Sequence, residues 1–194
     1  QTLFPVKIVD FLMEPNHLHL ILAVYNPVDV AGFMERFKTE SAHAINRLLG
    51  RKKRTIWCAG YDSPVLLTAQ DVVEKIVYTL SNPAKDGLED SIEKYPGLSS
   101  LRLEKKGSKK TCPWFHRWMI PRINAETLSL EGCERLKGML VKKARKSHAF
   151  TVERDAWMPC MGITDPEEQQ EWRERVLARL KEEEAEYRAQ RLKE

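Results

Sequence analysis

Two histidines one residue apart and a distant tyrosine are the residues whose types and spacing could do chemistry together. His17 and His19 lie in Met13-Glu14-Pro15-Asn16-His17-Leu18-His19-Leu20, flanked by apolar runs from Val6 to Met13 and from Leu18 to Val24. If the second run is a strand, its side chains alternate faces with period two, and both imidazoles point to one side. There they can hold a divalent cation and leave positions open for substrate oxygens. A third ligand would be an oxygen donor, and Asn82 can supply it if the segment carrying Tyr78 packs across the hairpin. Tyr78 then sits beside the metal. A phenol ionises near pH ~10, so it becomes a nucleophile only when deprotonated and aimed at an activated electrophile. A metal polarising a phosphodiester oxygen provides that activation. The products would be a phosphotyrosine link to DNA and a free 3′-hydroxyl, and the link could be reversed onto another strand.

Each group also has an ordinary reading. A His-x-His pair on a strand can be structural, and a tyrosine on a helix is commonly packing or surface. The conjunction is what points to chemistry. His43, His116 and His148 are read as surface or packing residues.

The elements that must position these groups follow from periodicity. Residues 6–13 read as a strand, Glu14-Pro15-Asn16 as a turn, and 17–25 as the hairpin partner, closed by Asn26-Pro27. Val30, Phe33, Met34, Phe37, Ala44, Ile45 and Leu48 recur at three- and four-residue spacing and predict a helix over 29–49, stopped by Gly50. Arg51-Lys52-Lys53-Arg54 is a basic loop, either a solvated turn or a phosphate contact. Tyr61 to Leu67 reads as another strand. Thr68, with Asp71 three residues on, is a capping signal for a helix over 69–81. Its core stripe is Val72, Val73, Ile76 and Leu80. Tyr78 lies roughly 160° from Ile76 and is off that stripe. Pro83 disfavours helix at Asn82 and places it at the helix end.

Residues 83–111 read as irregular, 112–123 as an aromatic and basic stretch, and 126–147 as a basic helix. Residues 165–193 predict a charged helix, with Asp165 as N-cap, Pro166 at the first position and Glu168 completing a capping box. Its thin apolar stripe (Trp172, Val176, Leu180, Tyr187) lets it lie on the body or project into solvent.

The 194 residues suffice for one ordinary domain with appendages. No apolar run approaches the ~18 residues a membrane span requires, and no leader segment is legible, so a cytoplasmic, membrane-free protein is expected. The whole-chain charge of +4 is uneven. Residues 165–194 hold 7 basic and 10 acidic side chains, leaving +7 on the first 164. That bias permits a nucleic-acid partner without demanding one. Cys58, Cys112, Cys133 and Cys160 lack zinc-knuckle spacing and read as reduced thiols.

Pro15-Asn16-His17-Leu18-His19-Leu20 resembles the histidine-hydrophobic-histidine (HUH) signature of single-tyrosine transposases, in particular the IS200-like and REP-associated tyrosine transposases. Tyr78-Thr79-Leu80-Ser81-Asn82-Pro83, followed by Gly87-Leu88, is similar to that family's nucleophile helix. Trp57 and Tyr61-Asp62 fall where the family has an aromatic residue and then a Tyr-Asp pair. Order and spacing agree from about residue 4 to 100.

The resemblance implies an α+β fold, a ferredoxin-like antiparallel sheet with helices on one face. This chain starts almost at the hairpin, so the strand and helix that precede it in the family are expected to be absent. It implies a catalytic domain over 1–100, a basic and aromatic extension over 101–164 and a charged C-terminal helix over 165–194. It implies Mg²⁺ or Mn²⁺ held by His17, His19 and Asn82, with Tyr78 as the nucleophile that cuts single-stranded DNA and joins its 5′-phosphate. Its substrates would be single strands flanked by or folded into hairpins, held by phosphate contacts and base stacking. Candidates for those contacts are Lys38, Arg47, Arg51, Lys52, Lys53 and Arg54, whereas Trp114 and Trp118 read as packing.

Asp86 stands where alanine is usual, and Gly97-Leu98 where tryptophan is common. The enzyme reading, a metal-dependent nickase and strand transferase in DNA transposition, competes with a domesticated protein that holds DNA hairpins without cutting. A third reading is an interaction protein with structural histidines; relaxases and replication initiators rank lower. Monomer and homodimer both stay open.

Overall fold

The computed structural model describes residues 4–104, 128–143 and 151–193. The expected α+β class is observed, a three-stranded antiparallel sheet with helices. Strand β1 (Val6–Met13) lies between β2 (Leu18–Val24) and the short β3 (Leu98–Ser99). The helices are α1 (Pro27–Leu48), α2 (Ala69–Lys85), α3 (Ser100–Glu104), α4 (Leu130–Lys143) and α5 (Pro166–Arg191). No helix among the described residues is long and apolar enough to cross a membrane.

The chain divides into two compact units. The first holds α1, the loop to residue 63 and α4. Here Asn26 caps α1 by accepting from the Val28 amide, and Lys38 Nζ pins the following loop by donating to the carbonyls of Cys58 (2.7 Å) and Gly60 (2.9 Å). The Trp57 ring lies tilted against Phe37, centroids 5.7 Å apart, and its indole N–H donates to Ser41 Oγ at 2.9 Å.

The second unit holds the hairpin, α2, β3, α3 and α5. Central β1 is buried on both faces, as its nearly continuous apolar run demands. The β1 edge opposite β2 pairs with β3 at Leu12 and Met13. At Ile8 the same strand meets Val152 in a parallel bridge, and the Glu153 amide donates to the Ile8 carbonyl at 2.8 Å. A strand reached from several parts of the chain thus has its polar groups met along its length.

Helix α2 packs on β1 and α5. The expected stripe is its buried face, with Val72, Val73, Ile76 and Leu80 all at 3 % exposure or less. The capping box at Thr68 and Asp71 forms in both directions. The charged helix lies against the body rather than projecting from it. Val176 and Leu180 bury on α2's unit, and the buried Glu184 carboxylate accepts from the Ile92 amide at 2.7 Å. Asp165 caps α5 through the Glu167 and Glu168 amides, while Glu168 accepts from the Trp172 indole at 3.4 Å.

Three expectations are corrected. Residues 61–67 form no strand. Pro64 has no amide to donate, and Val65 and Leu67 are each 77 % exposed, without the neighbour an alternating strand needs. Helix α2 does not end near 81 but runs through Pro83 to Lys85. A proline in a helix interior costs about 3 kcal/mol, but each buried aliphatic side chain contributes about 1.5–3 kcal/mol, so packing wins. Gly87, at φ +67°, then closes the end in the left-handed conformation that glycine adopts without strain. Residues 98–104 are ordered as β3 and α3 rather than irregular. The aromatic stretch with Trp114 and Trp118 lies outside the described residues, and of the basic helix Leu130–Lys143 is described.

One buried charge makes this packing pH-sensitive. Asp10 is fully buried; it accepts from Ser100 Oγ and faces Arg154 Nε at 3.5 Å. Burial pushes its pKa up from 3.8 to about 6, against the pull of Arg154 and Ser100. Between these values the folded chain holds a proton that the unfolded chain has lost. Stability therefore falls as pH rises from about 4 to 6 and levels off above, by roughly 3 kcal/mol from this group. Denaturant melts across that window should show the Asp10→Asn variant without this component; parallel curves for the two proteins would refute the assignment.

Candidate metal and nucleophile site

The hairpin and α2 bring His17, His19 and Tyr78 together. His17 lies in the turn and His19 on β2, with ring centroids 4.8 Å apart. The Tyr78 ring stands 5.5 Å from that of His19, edge to face. Tyr78 is off the buried stripe, as expected, and 37 % exposed. Two cations flank its ring, Lys75 Nζ at 4.6 Å and Lys85 Nζ at 4.9 Å from the centroid.

A hydrogen bond sets the state of His17. Its Nδ1 donates to Asn16 Oδ1 at 2.7 Å. That tautomer leaves a lone pair on Nε2, which faces a Glu14 carboxylate oxygen at 3.1 Å. Two electron-rich atoms so close need a cation between them, either a proton or a metal. Glu14 is 5 % exposed, and its carboxylate lies against His17 and Asp86. Burial raises its pKa above the ordinary carboxylate range, as does the neighbouring Asp86, while His17 pulls the other way. One ligand atom each from Glu14, His17 and Asp86 fall within 4.8 Å of one another.

His19 Nε2 is buried without a partner. Burial lowers the pKa of His19 to about 4, helped by His17, Lys75 and Lys85. Its imidazole is therefore neutral at pH 7 and free to donate a lone pair. These nitrogen and oxygen atoms suit a divalent cation. Asn82 is buried one turn past Tyr78, and its Nδ2 donates to the Tyr78 carbonyl at 3.1 Å. The atom it can offer a metal is then Oδ1.

The sequence reading missed Glu14, Asp86, Lys75 and Lys85. Glu14 carried one usable signal, a carboxylate ending an apolar strand next to the histidines. Lys75 and Lys85 are three residues before and seven after Tyr78, positions that share a helix face. Ending the helix near 81 hid Lys85 and Asp86 from that face. The six DNA-contact candidates lie in the other unit. There Lys38 is committed to the loop carbonyls, Arg47 and Arg51 are half-buried, and Lys52, Lys53 and Arg54 are exposed.

The profile of the family described as Transposase IS200 like matches residues 2–79. Over those residues, less than half of its length, the chain is similar to the IS200-like transposase family. The match contains Glu14, both hairpin histidines and Tyr78, and ends before Asn82 and Asp86. No curated protein and no solved structure matches significantly. In this IS200-like segment the hairpin carries both histidines and α2 carries the tyrosine.

Metal binding should be visible as stabilisation. An ion at ~100 times its dissociation constant contributes about 2.7 kcal/mol, roughly 5–10 °C in Tm for a chain of this size. Thermal melts with and without Mn²⁺ should show this rise, reduced in Glu14→Gln and absent in His17→Ala. An equal rise in His17→Ala would remove the site.

Proposed function

We propose that the protein is a metal-dependent single-stranded DNA endonuclease and strand transferase acting in DNA transposition, with Tyr78 as nucleophile. The observation that carries this reading is the Tyr78 ring 5.5 Å from that of His19, within an IS200-like segment. His17 and His19 would hold Mg²⁺ or Mn²⁺, with oxygen ligands drawn from Glu14, Asp86 and Asn82. The ion would polarise a phosphodiester oxygen and stabilise the charge that develops there.

The chain's own residues supply the rest. The Tyr78 oxygen attacks phosphorus, the bond to the 3′-oxygen breaks, and that oxygen leaves as a hydroxyl after taking a proton. The phenolic proton is lost to solvent. The resulting 5′-phosphotyrosine can be attacked by another 3′-hydroxyl, which restores a phosphodiester and the tyrosine. Lys75 and Lys85 flank the ring and attract both the phosphate and the phenolate. Buried Asn82 anchors the backbone carbonyl of Tyr78 and so steadies the nucleophile's own turn.

Covalent trapping tests the proposal. Labelled single-stranded hairpin DNAs with Mn²⁺ should give a denaturation-resistant protein–DNA band that Tyr78→Phe abolishes. Hairpins bound without any such band would favour the non-catalytic hairpin-holding reading over cutting.

A further inference from the structure

A groove of about 550 Å³ runs from Pro64 to Tyr78, between the segment before α2 and the first turns of that helix. One wall is apolar and exposed, with Val65 and Leu67 each at 77 %. The other carries Asp71, Glu74 and Lys75. Among the described residues no strand covers Val65 and Leu67, although these residues have the pattern of one. Two large aliphatic side chains are thus presented to solvent beside the tyrosine.

We propose that this groove receives an unpaired nucleobase of the DNA strand, next to the phosphate at Tyr78. The proposal rests on the nuclease reading for the placement of that phosphate. Charge separates the two subsites. Asp71 and Glu74 repel a phosphate from the groove, whereas Lys75 and Lys85 draw one to the Tyr78 ring. A base has apolar faces for Val65, Leu67 and the tyrosine, and edge donors for the two carboxylates. The groove volume lies within the range of small-ligand sites, ~300–1,000 Å³. Only an unstacked base can enter, so the slot would select single strands over duplex.

The test compares binding of two fluorescent octamers with the same number of phosphates, (dC)₈ and an abasic octamer, to the full-length protein. Stacking of a base predicts that (dC)₈ binds about fivefold tighter or more. Raising salt should weaken both without changing their ratio, because the phosphate contribution is shared. The double variant Val65→Ser, Leu67→Ser should bring (dC)₈ down to the abasic level. Both positions are exposed, and circular dichroism would verify that the variant stays folded. Equal affinity of the two octamers, or a ratio unchanged in the double variant, would overturn the slot. So would a change in sedimentation of the double variant without a change in DNA binding, which would make the patch a contact between copies. Failure of the nuclease reading looks different: the base preference would persist while no Tyr78-dependent covalent band appears.

Discussion

The burial of one face of α2 is the constraint on which the site depends. A helix that buries Val72, Val73, Ile76 and Leu80 has no rotational freedom left. Turning it by one residue, ~100°, would expose that stripe and forfeit several kcal/mol. The direction of Tyr78 is therefore decided by side chains that never touch it. The same rotation sets Lys75 and Lys85 on either side of its ring. Because α5 and β1 both pack on α2, the C-terminal helix contributes to holding Tyr78 in place without supplying a candidate ligand.

Polar groups inside this unit sort into two kinds. Glu184 and Ser100 have their partners, the Ile92 amide and the Asp10 carboxylate. The Nε2 of His19 does not, and Glu14 meets only the titratable groups of His17 and Asp86. Leaving a buried polar atom unpaired costs about 1–3 kcal/mol, and His19 Nε2 is such an atom. A structural histidine would be expected to find a donor or acceptor. A buried lone pair without a protein partner beside Tyr78 supports the proposed metal reading over a purely structural one. The neutral state of His19, enforced by burial, is the state a metal ligand needs.

Around Tyr78 the surface is divided by charge. Cations stand against the ring, carboxylates line the groove beyond Lys75, and aliphatic side chains face them. A nucleic-acid strand has the same alternation, with a charged phosphate beside an apolar base. The segment 61–67, which failed to become a strand, is what leaves the aliphatic wall open.

Local chemistry in the sequence determined most of the elements. Strand β1, the hairpin, α1 and the start of α2 follow from apolar periodicity and from caps at Asn26 and Thr68, which act over three or four residues. The proximity of His17 to His19 was legible from a spacing of two, and Tyr78's place off the buried stripe from 100° per residue. The family of residues 2–79 was legible from three motifs in register. What tertiary structure alone decided is where local rules met long-range packing. Pro83 should have ended α2, but burial against β1 and α5 carried the helix on and brought Lys85 and Asp86 to the site. Tyr61 to Leu67 alternates like a strand, yet among the described residues no neighbouring edge pairs with it. Glu14 became a candidate ligand only because folding buried it beside His17 and Asp86. Partners ninety residues away, such as Glu184 for Ile92, leave no trace in spacing, because the energy that pairs them comes from desolvation in a core the chain must first assemble.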